Sequence, residues 1–294
     1  MEFRKLTVDD KKLFQSYIDK NDLGWEYNFA TVFLWDVNDT MMMSTEDGIL
    51  FIYNTFYNSI VFKPPYMKND SDFLKAVGKI SEYAREKKIV YRLRGLRPEQ
   101  AALLDETKFL TASSRNDYDY IYNSDDLKYL RGKAFHSKRN FVTRFENTYN
   151  YTVSDYTPDD YDGLMALYEI WKDESSHSTL EVEKKAVERA FKYHKQLDLR
   201  IAVIKVDGKY AGFSVSSIEC NGIVHTIFEK GLTEYVGIYQ AINKFAAQRY
   251  FPDGTFVNRQ EDMGIEGLRR AKLSYNPVML YEKHFAEERA VDTE

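Results

Sequence analysis

A chain of 294 residues with 44% hydrophobic and 30% charged residues can bury a substantial core, and its length suggests roughly two domains. The net charge of -5 excludes indiscriminate electrostatic binding to nucleic acid or anionic membranes, although it leaves room for one local basic patch. No window approaches the ~20 apolar residues of a membrane span, and residues 1–5 lack the apolar core of a signal peptide. We therefore expect a cytoplasmic protein without stable membrane insertion.

Several classes of chemistry are disfavoured by what the sequence lacks. The single cysteine, Cys220, excludes an internal disulfide and falls in a predicted strand, where we expect a packed small side chain rather than a nucleophile. The histidines other than His225 show no metal-ligand spacing with one another or with Cys220, so no catalytic metal is predicted. A Gly-x-Ser-x-Gly elbow, a P-loop and a dinucleotide fingerprint are also missing, which disfavours hydrolases, nucleoside triphosphatases and dehydrogenases.

The first half begins with predicted helices near 9–20 and 29–35. Strand-like runs at 41–44, 48–53 and 59–63, separated by turn residues, predict a meander. Residues 71–87 carry apolar side chains at helical spacing and lead into a strand at 89–93. A helix starting at 97–99 and a strand at 118–122 complete this half.

The second half repeats that order. A strand at 151–155 and helices at 158–173 and 180–197 precede strands at 200–206, 210–218 and 222–229, which hairpin turns join at Asp207-Gly208 and Asn221-Gly222. A helix at 237–249, a strand at 255–257, a helix at 265–273 and a strand at 278–283 follow. The shared order indicates tandem copies of one fold.

The connection between the strand at 255–257 and the next helix is the most informative stretch for function. Five consecutive polar or charged residues form it: Asn258, Arg259, Gln260, Glu261 and Asp262. Strand carboxyl ends and helix amino ends meet in such connections, where anions, acyl oxygens and catalytic carboxylates gather. The alternative is that Asp262 caps the helix and the rest is solvated. A helix cap at Asp262, however, would not explain why Asn258, Arg259 and Glu261 are also polar or charged.

The element order of meander, helix, strand, helix and terminal strand is that of the GNAT acyltransferase fold. Three segments resemble a bacterial family similar to the C-terminal catalytic domain of phosphatidylglycerol lysyltransferase and, more distantly, to Fem-type peptidoglycan aminoacyltransferases. They are Tyr120-Ile121-Tyr122, Leu130-Arg131-Gly132-Lys133 with Lys138-Arg139-Asn140, and the stretch 257–277. The resemblance covers essentially the whole chain.

The resemblance implies an α/β (α+β) protein with two tandem GNAT-like (acyl-CoA N-acyltransferase) domains, each a mixed, mostly antiparallel sheet flanked by helices. The expected N-terminal domain spans 1–123, and a basic connecting helix spans 124–150. The C-terminal domain, 151–294, is expected to carry the active site.

Acyl transfer requires a proton acceptor, a group that stabilises an oxyanion, and a group that binds the leaving group. Glu229, at the end of the central strand of the second half, is the candidate general base, because a partly buried carboxylate there would have a raised pKa. His225, four residues earlier, is the alternative. The face on which either side chain lies depends on the strand register.

Roles in the polar connection follow from its side chains. We expect Arg259 to bind an anionic donor or acceptor, Glu261 or Asp262 to orient an amine, and Asn258 to polarise a carbonyl. The predicted catalytic set is therefore Glu229, Asn258, Glu261 and Asp262. Lys272 and Tyr275 join as substrate-binding residues if the chain returns across the site. The alternative for Lys272 is a favourable charge near a helix C-terminus.

A basic cluster lies on the predicted connecting helix. On a helical wheel, Lys138 falls within an apolar stripe that contains Phe135, Phe141, Val142 and Phe145. Its ammonium group either reaches out to solvent along the core surface or presents charge to a phosphate or carboxylate. In the second case its predicted companions are Arg139, Asn140 and Arg144.

By the resemblance, the leading hypothesis is a transferase that moves an aminoacyl or acyl group to an amine or hydroxyl of a small-molecule or peptide acceptor. The donor could be aminoacyl-tRNA, with its acceptor end near Lys138 and Arg139, and no further cofactor is required. The alternative donor is acyl-CoA, although the loop 229–237 lacks the dense Arg/Gln-x-x-Gly-x-Gly pattern of CoA binders. A third hypothesis is a non-catalytic binding protein on the same fold.

Overall fold

The computed structural model describes residues 1–56, 59–173 and 180–289. The chain divides into two compact units. Unit 1 contains residues 1–119, 261–265 and the chain from 280 onward, and unit 2 contains residues 120–260 and 266–279. Each unit therefore combines separated parts of the chain. The linear division at 123 and 150 stays a prediction.

Short strands and helices alternate in the first part of the chain. In order they are β1 (Arg4–Lys5), α1 (Lys11–Gln15), α2 (Phe29–Leu34), β2 (Met42–Glu46), β3 (Ile49–Phe56), β4 (Ser59–Phe62), β5 (Tyr66–Met67), α3 (Phe73–Lys87), β6 (Val90–Leu96), α4 (Pro98–Ala102), β7 (Phe109–Ser113), β8 (Asp119–Asn123) and α5 (Ser124–Tyr129).

Longer elements follow. They are α6 (His136–Thr148), β9 (Tyr151–Asp155), α7 (Tyr161–Asp173), α8 (Leu180–Leu197), β10 (Arg200–Val206), β11 (Lys209–Ile218), β12 (Val224–Gly231), α9 (Ile238–Tyr250), β13 (Phe256–Asn258), α10 (Glu266–Leu273), β14 (Met279–Tyr281) and β15 (His284–Glu288). The predicted elements are largely confirmed. The predicted helix near 9–20 shortens to α1 preceded by a 3-10 turn, and two helices, α5 and α6, lie in the region of the predicted connecting helix. β1, β5, β7 and β15 were not predicted.

The sheet of unit 1 has the strand order β1-β2-β3-β4-β6-β15-β7, with β5 paired to β3. Its neighbours are antiparallel except β4 and β6. Asp47 and Gly48 join β2 to β3 with φ of 52° and 76°, the left-handed pair that a tight hairpin needs. The helix α3 packs its apolar side chains against one face of this sheet. Because side chains alternate along a strand, the polar residues of β4 and β6 lie on the other face.

The second sheet has the order β14-β8-β13-β12-β11-β10-β9, and its only parallel pair among the strands with described register is β12 with β13. Apolar side chains of α6 and α9 form one core with this sheet. Gly237, which precedes α9, has φ of 90°, and a Cβ there would lie 2.4 Å from the carbonyl oxygen of Phe141 in α6. Glycine thus allows the two helices to approach closely.

Two strands pair with partners that are distant in sequence, and the order of the elements did not predict these pairings. β8, from the first half, pairs with β13, and β15, from the end of the chain, lies between β6 and β7. Element order alone does not specify which distant strands pair. Among the described residues, no helix combines the length and apolar character required to cross a membrane. The cytoplasmic location stays a prediction.

Cys220 corrects one expectation. It lies beyond the end of β11 and its side chain is exposed, so the prediction of a packed residue within a strand was wrong. The strand ends because the chain turns here, with the Gly222 amide donating to the Glu219 carbonyl at 2.9 Å. Partial loss of hydration and the nearby Glu219 carboxylate raise the pKa of the thiol to about 11, which does not favour a nucleophilic thiolate.

Candidate functional site

The candidate site in unit 2 lies where β12 and β13 stop pairing. Within the described chain, these strands pair only through Val224 with Val257 and His225 with Asn258. The next amide, that of Arg259, donates instead to the carbonyl of Tyr120 at 3.0 Å. β12 meanwhile continues to Gly231. Side chains that follow the last strand pair can therefore meet outside the regular ladder.

Arg259 and Glu229 meet at this position. Nη2 of Arg259 donates to Oε2 of Glu229 at 2.5 Å, and their side chains are 13% and 14% exposed. Nδ2 of Asn243, from α9, donates to the other carboxylate oxygen at 3.1 Å. Burial disfavours the charged guanidinium, yet the Glu229 carboxylate raises the pKa of Arg259 above its ordinary value. The guanidinium therefore stays charged inside the unit.

The same guanidinium has donors that nothing in the described chain satisfies. Nε and Nη1 of Arg259 are buried and have no hydrogen-bond partner among the described residues. Its central carbon lies 4.8 Å from the ring centre of Tyr275 and 5.5 Å from that of Tyr122. Buried polar groups are usually hydrogen-bonded, and a guanidinium fork matches carboxylate, phosphate or carbonyl oxygens. This arrangement suits an oxygen-bearing ligand.

Lys138 adds a second cation to the site. Its Nζ lies 4.5 Å from the Tyr275 ring centre, and burial together with Arg259 lowers its pKa. Phe141 is 41% exposed, so the apolar stripe around Lys138 is narrower than predicted. The ammonium group is half-buried against an aromatic ring. Two positive charges thus contact one tyrosine ring.

Lys272 supports the backbone of the polar connection. Its Nζ donates to the carbonyl oxygens of Arg259 at 2.6 Å and Gln260 at 3.1 Å. The hydroxyl of Tyr122 donates to the Lys272 carbonyl at 2.8 Å. The chain after α10 therefore returns to the site, as the expected roles of Lys272 and Tyr275 require.

Asn258 shapes the turn that follows β13. Its side chain is fully buried, and Oδ1 accepts the Gln260 amide at 2.6 Å. Gln260 has φ of 58°, a left-handed conformation that this hydrogen bond stabilises. The expected role of Asn258 in polarising a carbonyl stays a prediction.

Glu261 and Asp262 belong to unit 1. Oδ1 of the buried Asp262 accepts the Gly264 amide at 2.9 Å, and Arg115 approaches its other oxygen at 3.4 Å. Asp262 thus forms a turn four residues before α10 begins. Oε2 of Glu261 lies 3.8 Å from Nζ of Lys283. The polar connection therefore supplies side chains to both units, and the predicted amine-orienting role stays a prediction.

The other basic residues of α6 have different surroundings from Lys138. Arg139 donates to the Gly132 carbonyl at 2.7 Å and to the Leu130 carbonyl. These hydrogen bonds stabilise the loop that precedes α6. Nδ2 of Asn140 lies 3.2 Å from Nε2 of His136. Arg144 is exposed. Of this predicted set, the structure brings only Lys138 to Arg259.

His225, the alternative base, is completely buried at the last strand pair. Neither ring nitrogen has a hydrogen-bond partner among the described residues, and burial lowers its pKa to about 3. The ring is therefore neutral at physiological pH. Asn243 and Tyr122 were missed in the sequence. Asn243 is buried in α9 but lies off the predicted apolar face of that helix, so the sequence carried no local signal for it. Tyr122 was noted only as part of a segment that carries the family resemblance.

Comparison with solved structures places this architecture among known folds. A conserved protein of unknown function from Bacteroides thetaiotaomicron is 28% identical, with 98% of this chain and 100% of that chain covered and a TM-score of 0.87. L-PGS from Bacillus licheniformis is 14% identical over 99% and 94% of the chains, with a TM-score of 0.69. FemX is 10% identical over 97% of each chain, with a TM-score of 0.64.

The shared fold confirms the predicted fold class, with mixed sheets flanked by helices and GNAT-like and Fem-type relatives. A family model described as phosphatidylglycerol lysyltransferase, C-terminal, matches residues 21–287. That match spans most of the sequence. The chain therefore belongs to the phosphatidylglycerol lysyltransferase C-terminal family.

Proposed function

We propose that this chain transfers an aminoacyl group from aminoacyl-tRNA to an amine or hydroxyl acceptor. Its family supports an aminoacyltransferase-like function. The observation that carries the assignment of the site is the buried Arg259 guanidinium beside Glu229, two nitrogens of which have no hydrogen-bond partner among the described residues. Leaving buried donors unsatisfied costs about 1–3 kcal/mol each, so a ligand oxygen at this position stabilises the site.

The proposed chemistry uses those donors as an oxyanion site. Nε and Nη1 of Arg259 would hold the carbonyl oxygen of the aminoacyl ester and stabilise the negative charge that forms on it during attack. The acceptor forms a bond to the acyl carbon, and the bond to the ribose oxygen breaks. The proton lost by the acceptor ends on that ribose oxygen, so the step balances without a cofactor.

Glu229 has a positioning role in this proposal. Its carboxylate holds Nη2 of Arg259 and accepts from Asn243, which fixes the guanidinium and keeps it charged. Direct removal of the acceptor proton by Glu229 is a further prediction. Lys138, next to Arg259 at the Tyr275 ring, would meet the phosphate nearest the donor ester.

The test measures transfer of a radiolabelled amino acid from a pool of charged tRNAs. Vesicles containing phosphatidylglycerol supply a lipid hydroxyl, and a lysine-containing peptide supplies an amine. We expect Arg259→Lys, which keeps the charge but loses the fork, to reduce the transfer rate by roughly 100-fold or more. Arg270→Lys, on the exposed part of α10, is the matched control and should transfer normally.

Two transfer results would overturn the proposal. One is unchanged transfer by Arg259→Lys. The other is transfer from acetyl-CoA, with stabilisation of the protein by acetyl-CoA but not by charged tRNA, which would establish the acyl-CoA alternative. Ligand binding without transfer to either acceptor, unchanged in Arg259→Lys, would instead support the non-catalytic alternative.

A further inference from the structure

Unit 1 contains a cavity of about 510 Å³ that the proposed reaction does not use. It lies on the face of the first sheet opposite α3, where alternate residues of β4, β6 and β15 project. The lining residues relevant here are Trp25, Glu26, Lys63, Arg94, Lys283 and Phe285. Its volume is within the ~300–1,000 Å³ typical of small-molecule sites.

Lys63, which follows β4, is a cation in this cavity that makes no salt bridge with a described residue, although the Glu26 and Glu261 carboxylates act on it at longer range. Its ammonium group lies 4.3 Å from the ring centre of Trp25 and makes no hydrogen bond or ion pair with any described residue. Arg94, in contrast, has Asp117 at 3.6 Å, and Arg92 pairs with Glu287. A partly buried ammonium group without a direct salt bridge is costly, so an anion bound beside it lowers the free energy.

A second donor points to the same kind of ligand. Nε1 of Trp25 is buried and has no hydrogen-bond partner among the described residues. The indole N–H and the Lys63 ammonium therefore belong to neighbouring groups that both need an acceptor. Carboxylate oxygens accept from both kinds of donor.

The other lysine of the cavity is already neutralised. Nζ of Lys283 lies 2.9 Å from Asp119, 3.1 Å from Glu26 and 3.8 Å from Glu261. Those carboxylates would repel a ligand with two or more negative charges. A single negative charge is better suited to Lys63, the one lysine of the cavity that makes no salt bridge with a described residue.

We infer that the unit 1 cavity binds a small organic molecule with one carboxylate, which pairs with Lys63 and accepts from Trp25. The apolar part of the molecule lies against Val61 and Phe285, which also line the cavity. All of these residues belong to unit 1. The inference does not depend on the transfer reaction proposed for unit 2.

The test uses isothermal titration calorimetry with 4-phenylbutyrate as the probe. Its amide, 4-phenylbutyramide, is the uncharged control, and phenyl phosphate is the control of higher charge. We expect the carboxylate to bind at least tenfold more tightly than either. Lys63→Met should weaken its binding at least tenfold, whereas Lys63→Arg should retain most of the affinity. Lys87→Met, on the exposed end of α3, should bind like the unchanged protein.

Proton uptake gives an independent readout. Burial lowers the pKa of Lys63 to about 8, with Glu26 and Glu261 opposing the decrease and Lys283 and Arg94 adding to it. An anion beside Lys63 raises that pKa, so binding at pH 8 should take up roughly half a proton, measured in buffers of different ionisation enthalpy. The uptake should vanish in Lys63→Met.

Several outcomes would overturn the inference. They are absence of binding at millimolar 4-phenylbutyrate, equal binding of the amide, tighter binding of phenyl phosphate, and unchanged affinity in Lys63→Met. Arg259→Lys should bind the probe normally even if transfer fails. Failure of the proposed reaction and failure of this site are therefore distinguishable.

Discussion

Glu229 binds Arg259 through one guanidinium nitrogen, with 2.5 Å between Oε2 and Nη2, while the other two nitrogens have no partner in the part of the chain that the structure describes. The ion pair therefore fixes the orientation of the guanidinium group but leaves some of its hydrogen-bond donors available to a ligand. An ion pair on the surface would contribute little to the stability of the fold. Here, however, both side chains are largely removed from water. Ligand binding and the stability of unit 2 should thus depend on the same carboxylate.

Replacing Glu229 should destabilise the protein. Glu229→Gln removes the charge that compensates Arg259, and we expect the free energy of unfolding to fall by about 3 kcal/mol. Urea denaturation measures the change. In Glu229→Gln/Arg259→Met no unpaired charge remains, so the double variant should be less destabilised than the sum of the two single variants. Strict additivity would show that the pair is not coupled.

Lys272 should be important for stability although it lies near a helix end. Lys272→Met leaves the carbonyl oxygens of Arg259 and Gln260 without this donor, and we expect a loss of about 2 kcal/mol. Thermal unfolding of Arg270→Met, whose exposed side chain is on the same helix, provides the comparison. Equal effects of the two substitutions would support the simple helix-end role for Lys272.

The contact between α6 and α9 should not tolerate a side chain at Gly237. Gly237→Ala combines an unfavourable left-handed residue with a Cβ 2.4 Å from the Phe141 carbonyl oxygen, so α6 must move. We expect destabilisation above 2 kcal/mol, roughly twice the left-handed penalty alone. Gly254→Ala isolates that penalty, because φ is 66° there and, chain neighbours aside, the added Cβ would have no described atom within 4 Å. Similar unfolding midpoints for both variants would contradict the close approach.

Glu26 should make stability depend on pH. Burial raises the pKa of its carboxyl group from 4.5 to about 7, with Lys283 opposing and Asp119 reinforcing the shift. Between these values the folded protein holds a proton that the unfolded chain has released, so stability should fall as pH rises from 4.5 to 7, by up to about 3 kcal/mol. The contribution is constant above pH 7.

The test compares unfolding free energies across this pH range. Burial also raises the pKa of Asp22, to about 6, so Glu26→Gln should weaken the dependence below pH 6 and lose it between pH 6 and 7. Glu82→Gln, on the exposed side of α3, should keep the full dependence. Parallel pH profiles for Glu26→Gln and the unchanged protein would argue that another group titrates.

The sequence was informative wherever a local pattern determined the structure. Asp47-Gly48 and Asp207-Gly208 mark hairpins because both residues of each pair adopt positive φ. The placement of Arg259, Lys272 and Tyr275 around one site was expected only on condition that the chain returned. That return depends on tertiary contacts such as the bond from the Tyr122 hydroxyl to the Lys272 carbonyl.

Other features had no local signal. The cavity around Lys63 requires β15 beside β6, and no short-range pattern specifies that pairing. The division of Arg259 and Asp262 between the units likewise follows from long-range contacts rather than from their adjacency in sequence. Lys138 was predicted only in part. Its place on a helix followed from the local pattern, but its contact with Tyr275, 137 positions later, did not.

The position of β15 has a consequence for how the protein is made. This strand, residues 284–288, lies between β6 and β7 and pairs with both. A ribosome synthesises it after the described strands of the second sheet, so the edges of β6 and β7 that it pairs with stay open while the intervening chain is made. Exposed strand edges favour aggregation, and domains generally fold from the N-terminus first. Among the described strands, the sheet of unit 1 is therefore completed only after those of unit 2 have been synthesised.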